Sequence, residues 1–128
     1  MHFDDRLATV LRHRASGDRA ARTQFRQLLD LLGSKPRPRD GERDESLMAA
    51  AWLRLGALGE TIPAEDRAEM ISDPGLRFRS AELAAHLAED EPEVAAAALS
   101  RANLSEDDWD ALVPRLPVRA RGFLRLRK

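Results

Sequence analysis

Three observations predict an all-α protein. Ala and Leu together supply 40 of the 128 residues, whereas Val, Ile and Thr supply 9 and Tyr is absent. That balance withholds from any sheet the residues it favours. Apolar positions recur at intervals of three and four along most of the chain, the spacing of one helical face. Capping and breaking residues then divide the pattern into seven to eight short helices. The expected architecture is a set of antiparallel hairpins, stacked as a HEAT-like right-handed solenoid or closed into a compact helical bundle, in one domain spanning residues 1–128.

Phe3, Leu7, Val10 and Leu11 define the first helix, expected to run to about Ala15. Ser16-Gly17-Asp18 breaks it, with Asp18 read as the N-cap of the second helix because a carboxylate there accepts from orphan amides. Ala21, Phe25, Leu28, Leu29 and Leu32 form the second stripe, and Gly33 is expected to close it in the left-handed conformation. Residues 34–43, SKPRPRDGER, offer no large apolar side chain. With nothing to bury, they are expected to form a flexible loop.

Leu47, Met48, Ala51, Trp52, Leu55 and Leu58 mark a third helix ending near Gly59. A fourth begins at Thr61-Ile62-Pro63, where proline at the first helical position loses only an amide without a partner. It places Met70 and Ile71 on the core side and ends at Asp73-Pro74-Gly75. Leu76, Leu83, Ala84 and Leu87 are assigned to a fifth helix, and Val94, Ala95, Ala98, Leu99 and Ala102 to a sixth that follows Glu89-Asp90-Glu91-Pro92. The seventh has the clearest start: Ser105 caps it with Asp108 three residues on, and Leu104 is placed to staple against Trp109. Its apolar face runs through Leu112 and Val113 to Pro114. Pro117 opens a last segment carrying Val118, Phe123, Leu124 and Leu126.

An offset of 42 residues superposes the fourth helix on the seventh. Ile62 falls on Leu104, Asp66 on Asp108, Met70-Ile71 on Leu112-Val113, Leu76 on Val118 and Arg77 on Arg119. Two-helix units of this period are those of HEAT-like solenoids, in which each hairpin buries its apolar face by stacking on the next.

A chain of this length buries roughly two thirds of its unfolded surface, so it needs neither disulfide nor structural metal to fold. Zero Cys removes thiolate chemistry and Cys-ligated zinc. No apolar run has the length of a membrane span and Met1 opens no signal segment, so a cytoplasmic location is expected. Twenty-one Lys and Arg against 22 Asp and Glu leave a net charge of -1, which argues against a general polyanion binder.

Charge is nonetheless segregated. Residues 89–110 carry a net -7, and the last 14 residues hold Arg115, Arg119, Arg121, Arg125, Arg127 and Lys128 with no acid. The acids sit at helix starts, where carboxylates stabilise the helix dipole, so capping is favoured over a hard-cation site. The basic end reads either as a phosphate-binding surface or as an internal counterweight to those acids. Nucleic acid is not favoured, because Phe123 alone supplies little aromatic interleaving. His13 and His86 are conceivable phosphoryl acceptors. Neither is followed by the Lys-Gly pair usual in histidine phosphotransfer domains, and a partly exposed helix side chain is the plainer reading. Trp52 and Trp109 fall on apolar stripes and are assigned to packing. No catalytic, cofactor or metal residue is assigned.

The runs Phe3-Asp4-Asp5-Arg6-Leu7-Ala8-Thr9-Val10-Leu11 and Ala20-Ala21-Arg22-Thr23-Gln24-Phe25-Arg26-Gln27-Leu28-Leu29-Asp30-Leu31-Leu32-Gly33 resemble the N-terminal region of soluble bacterial sensor histidine kinases. Pro74-Gly75-Leu76-Arg77, Glu93 to Leu99 and Leu104 to Trp109 resemble a bacterial family of HEAT-like helical repeats. The resemblance implies a longer polypeptide, with a dimerisation helix pair bearing the phosphoacceptor His and an ATP-binding domain. Neither is in this sequence, which ends inside what reads as an unfinished helix. The expected function is therefore a non-catalytic sensory and protein-interaction module of a two-component kinase. Arg115, Arg119, Arg121, Arg125 and Arg127 are its candidate transmission residues. The expected partners are the rest of the kinase and a second subunit. The alternative is a stand-alone helical-repeat adaptor or a nucleic-acid-binding protein.

Overall fold

The computed structural model describes residues 3–12, 17–34 and 45–126. Among them it is all-helical: α1 (Phe3–Arg12), α2 (Asp18–Gly33), α3 (Glu45–Thr61), α4 (Ala64–Ile71), α5 (Ala81–Ala88), α6 (Pro92–Arg101), α7 (Glu106–Leu112) and α8 (Val118–Arg121). Short 3-10 turns follow α7 (Val113–Arg115) and α8 (Gly122–Leu126). His2, His13, Arg127, Lys128 and all of the expected loop but Ser34 lie outside the described residues. No helix among the described residues is long and apolar enough to cross a membrane.

The expected stripes face inward. Leu7, Phe25, Leu28, Leu29, Ala51, Leu55, Ile71, Leu83, Leu99 and Leu112 are all buried in one continuous core. The first three helices pack on one another, α2 also meets α5, and α6 lies against α4, α5, α8 and the last 3-10 turn. The Ala-rich face of α6, with Val94, Ala95, Ala98 and Leu99 buried, presents little side-chain bulk to so many neighbours.

Polar ties supplement the core. Gln24, buried in α2, donates to the Val10 carbonyl at 2.8 Å and accepts from Arg54 Nη1 at 3.2 Å, linking the first three helices. Arg22 donates to Asp66 at 2.8 Å and to Asp18 at 3.1 Å, tying α2 to α4. Those hydrogen bonds, Asp66 before Asp18, raise the Arg22 pKa above its ordinary value. Any stability it adds is present below the ordinary arginine pKa and is lost only as pH climbs through the raised one, so neutral pH does not titrate it.

Several local readings need correction. Gly17 is the N-cap of α2, at φ 86°, where glycine is the residue without steric penalty. Asp18 is the first helical residue and pairs with Arg22 one turn on. Pro63 is the N-cap of α4 rather than its first helical residue. Gly59 lies inside α3, which continues to Thr61.

Gly33 stays helical, and its lack of a side chain serves a close approach. A methyl there would be driven into the Arg77 carbonyl oxygen and would meet Leu83 Cδ2 at 3.3 Å. The segment at 76–79 is consequently not the start of the fifth helix. It is non-helical, with Leu76 and Phe78 buried, and it is held by main-chain hydrogen bonds from two other parts of the chain. Arg79 N–H donates to the Gly33 carbonyl and Asn103 N–H to the Phe78 carbonyl, each at 2.7 Å. Arg101 Nη2 donates to the carbonyl of Leu76, where the segment begins, and to that of Asp73 three residues earlier. Ser80 then caps α5 by accepting from Leu83 N–H at 3.2 Å.

The 42-residue repeat places α4 and α7 in register, and Ser105 caps α7 as expected, accepting from Asp108 N–H at 3.2 Å. Beyond that point it holds only in part. Leu76 is buried whereas Val118 is 83% exposed, but Phe78 and Ala120, also 42 residues apart, are both buried. The final segment is not one continuing helix but α8 followed by a 3-10 turn.

Candidate functional site

The basic residues proposed from sequence mostly turn back onto their own chain. Arg119 Nη2 donates to the carbonyls of Glu89 and Asp90 at 3.2 and 3.5 Å. Arg121 Nη2 donates to the Pro114 carbonyl at 3.0 Å, and Arg115 pairs with Glu82 at 3.5 Å with both side chains more than half exposed. Arg125 is exposed, and Arg127 lies outside the described residues. Arg115, Arg119 and Arg121 are each held by a different group and share no partner. Their closest tie to the acids is Arg119 on the turn that precedes α6.

That turn forms one side of a cleft of about 500 Å³ between α3 and the α5–α6 connection. Each part follows from its local sequence. On α3, Trp52, Gly56 and Glu60 recur at four-residue intervals, so one helix edge supplies a ring, an open step and a carboxylate. His86 sits in the last turn of α5, opposite Trp52. Pro92 stops the chain from joining α5 to α6 directly, and Glu89, Asp90 and Glu91 lie in the connection before it. Trp52 and His86 close one wall as a parallel ring stack.

Beside them Arg67, 7% exposed, runs underneath. Its Nη1 donates to the carbonyl of Gly59 at 2.5 Å and to that of Ile62, and its Nη2 pairs with Asp90 at 2.9 Å. The same Asp90 oxygen accepts from Glu91 N–H at 2.6 Å. One guanidinium thus joins the C-terminal end of α3 to the acidic turn, while its buried Nε has no hydrogen-bond partner.

Sequence reasoning passed over Arg67, yet a signal was present. Four residues before Ile71, it falls on the same inward stripe of α4. Trp52, on an apolar stripe, is half-buried, with one face on His86. His86 was read as a partly exposed helix side chain and is exposed, its ring laid on Trp52. The pairing of the two rings left no trace in either local pattern.

Glu60, Glu89 and Glu91 are exposed at the rim, and the fourth carboxylate, Asp90, is already neutralised by Arg67. The cleft therefore presents surplus negative charge above an aromatic wall, an arrangement that attracts positive charge and accepts hydrogen bonds. Among the described residues no three His, Asp or Glu side chains converge as a metal-binding group. Comparison with protein-family models, with curated proteins and with solved structures finds no match.

Proposed function

We propose that the chain is a non-catalytic, α-helical protein-interaction module that acts as the N-terminal sensory part of a soluble bacterial sensor histidine kinase. Kinase membership is supported by the resemblance of residues 3–11 and 20–33. The interaction role is supported by one observation, the double hydrogen bond from Arg119 to the Glu89 and Asp90 carbonyls. It connects the acidic turn of the cleft to α8 near the C-terminal end of the described chain. A partner that binds more tightly to one arrangement of that turn biases the arrangement of α8 by the same differential free energy. Arg119 is the transmission residue on this reading. Arg115 and Arg121, engaged elsewhere, have supporting roles.

The test joins the chain to the dimerisation and ATP-binding core of the kinase with which it is encoded and measures autophosphorylation. The chain is expected to change the rate, and Arg119→Ala to reduce that change without unfolding the module. A core indifferent to the chain overturns the kinase assignment. Nucleic acid is the other outcome to measure: a steep loss of duplex DNA affinity with added salt would reassign the basic residues to phosphate contacts.

A further inference from the structure

The outer face of α3 exposes one large apolar side chain among small residues. Ala49, Leu53, Gly56 and Ala57 are exposed, Leu53 at 75%, and Ala49, Leu53, Gly56 and Glu60 lie along one stripe of the helix. Gly56 stands out within it. Its φ is not positive and a methyl built there meets nothing within 4 Å, so neither backbone conformation nor a neighbour among the described residues requires glycine. Inside a helix that choice costs about 1 kcal/mol against alanine. A residue without a side chain is useful there to something that approaches the helix closely from outside. Gly56 also borders the acid-rimmed cleft, so the apolar stripe and the negative charge form one surface.

We infer that this surface docks a basic amphipathic helix of a partner protein. The partner's apolar residues pack along Leu53 and Gly56, and its Lys or Arg side chains reach across Trp52 to Glu60, Glu89 and Glu91. Charge complementarity selects this occupant. A second copy pairing through α3 in antiparallel fashion would bring Glu45 of each chain towards Glu60 of the other, like charges at both ends of the contact. Arg115, Arg119 and Arg121 are engaged within their own chain and are poorly placed to supply the cation. The stripe from Ala49 to Glu60 is about 18 Å long, which matches three turns of a docked helix.

The inference deepens the interaction-module reading and rests on it. The probe is a synthetic helical peptide of about three turns, with Leu and Ala on one face and Lys on the other. It is titrated into the Trp109→Phe variant, so that Trp52 alone reports by fluorescence. Saturable binding that weakens with salt is expected. Acetylating the peptide lysines, or making Glu89→Gln with Glu91→Gln, should weaken it about tenfold or more. Gly56→Gln should block it while thermal unfolding stays at or above that of the parent, because the new side chain enters open space. Equal binding by the acetylated peptide, indifference to these variants, or no binding at all overturns the inference. So does a concentration-dependent dimer that Gly56→Gln abolishes, since it would assign the face to a second copy. If the peptide fails while the chain still alters kinase autophosphorylation, the interaction module stands and the cationic helix falls. If the peptide binds as described while the kinase core is indifferent, the docking surface stands and the kinase assignment falls.

Discussion

The indole of Trp52 and the imidazole of His86 lie face to face, their centroids 4.0 Å apart and their planes 7° from parallel. The pair links two helices, α3 and α5, across the mouth of the cleft. It therefore serves two purposes, locking the helices together and giving the cleft a flat wall.

Removing one ring should show both. His86→Ala is expected to destabilise the fold by about 0.5–1 kcal/mol, since stacked pairs at partly exposed sites contribute on that order. It should also shift Trp52 emission towards that of a wetter indole. His86→Phe should restore most of the stability. A double-mutant cycle with Trp52→Ala, read by urea denaturation, measures the coupling, and a coupling of zero would mean the rings touch without consequence.

Arg67 should matter more than any exposed arginine. Arg67→Ala strips the Gly59 and Ile62 carbonyls and Asp90 of a shared donor, at an expected cost of about 2–3 kcal/mol. The figure is kept below that of a fully buried pair because the Asp90 side chain, 32% exposed, regains water. Arg119→Ala, on exposed carbonyl contacts, is expected to cost less than about 1 kcal/mol. Denaturant midpoints of the two variants should separate clearly.

Two glycines should respond to alanine with opposite signs. Gly33→Ala forces the chain away from the Arg77 carbonyl and is expected to cost about 1–3 kcal/mol. Gly56→Ala meets open space and improves helix propensity, with an expected gain of up to about 1 kcal/mol. Thermal unfolding of the two variants tests both assignments at once.

Ser105→Ala removes the acceptor for Asp108 N–H and should cost about 1 kcal/mol, most of it recovered by Ser105→Asp. Amide hydrogen exchange should quicken first in α7, and an unchanged exchange pattern would show that neighbouring contacts hold α7 closed without the cap.

Legibility varied from element to element. Helix α7 was readable almost to the residue, because Ser105, Asp108 and Pro114 are local signals that act within a few positions of one another. Periodicity carries the fifth helix back to Leu76 because an apolar residue in helical spacing looks alike whether it starts a helix or plugs the core from a non-helical strap. The Gly33 and Asn103 hydrogen bonds that hold the strap come from the end of α2 and from the α6–α7 connection. At the candidate site, the acidity of residues 89–91 was plain and its meaning was not. Their placement opposite Trp52 depends on how α3 and α5 are each set against α2. The basic end was noticed for its charge, and its internal alternative is met in part, with Arg119 held by main-chain carbonyls rather than by carboxylates.

Helix class, the order of the helices and most inward stripes were set by the sequence alone, because propensity, caps and the 3.6-residue period are properties of neighbours along the chain. Tertiary structure alone decided that Arg67 meets Asp90, that Gly33 is a contact point, that Trp52 meets His86, and that the exposed face of α3 adjoins an acidic cleft. Each of these joins residues from different elements. The free energy of such a meeting depends on the angle and offset at which helices pack, which a one-dimensional pattern does not contain.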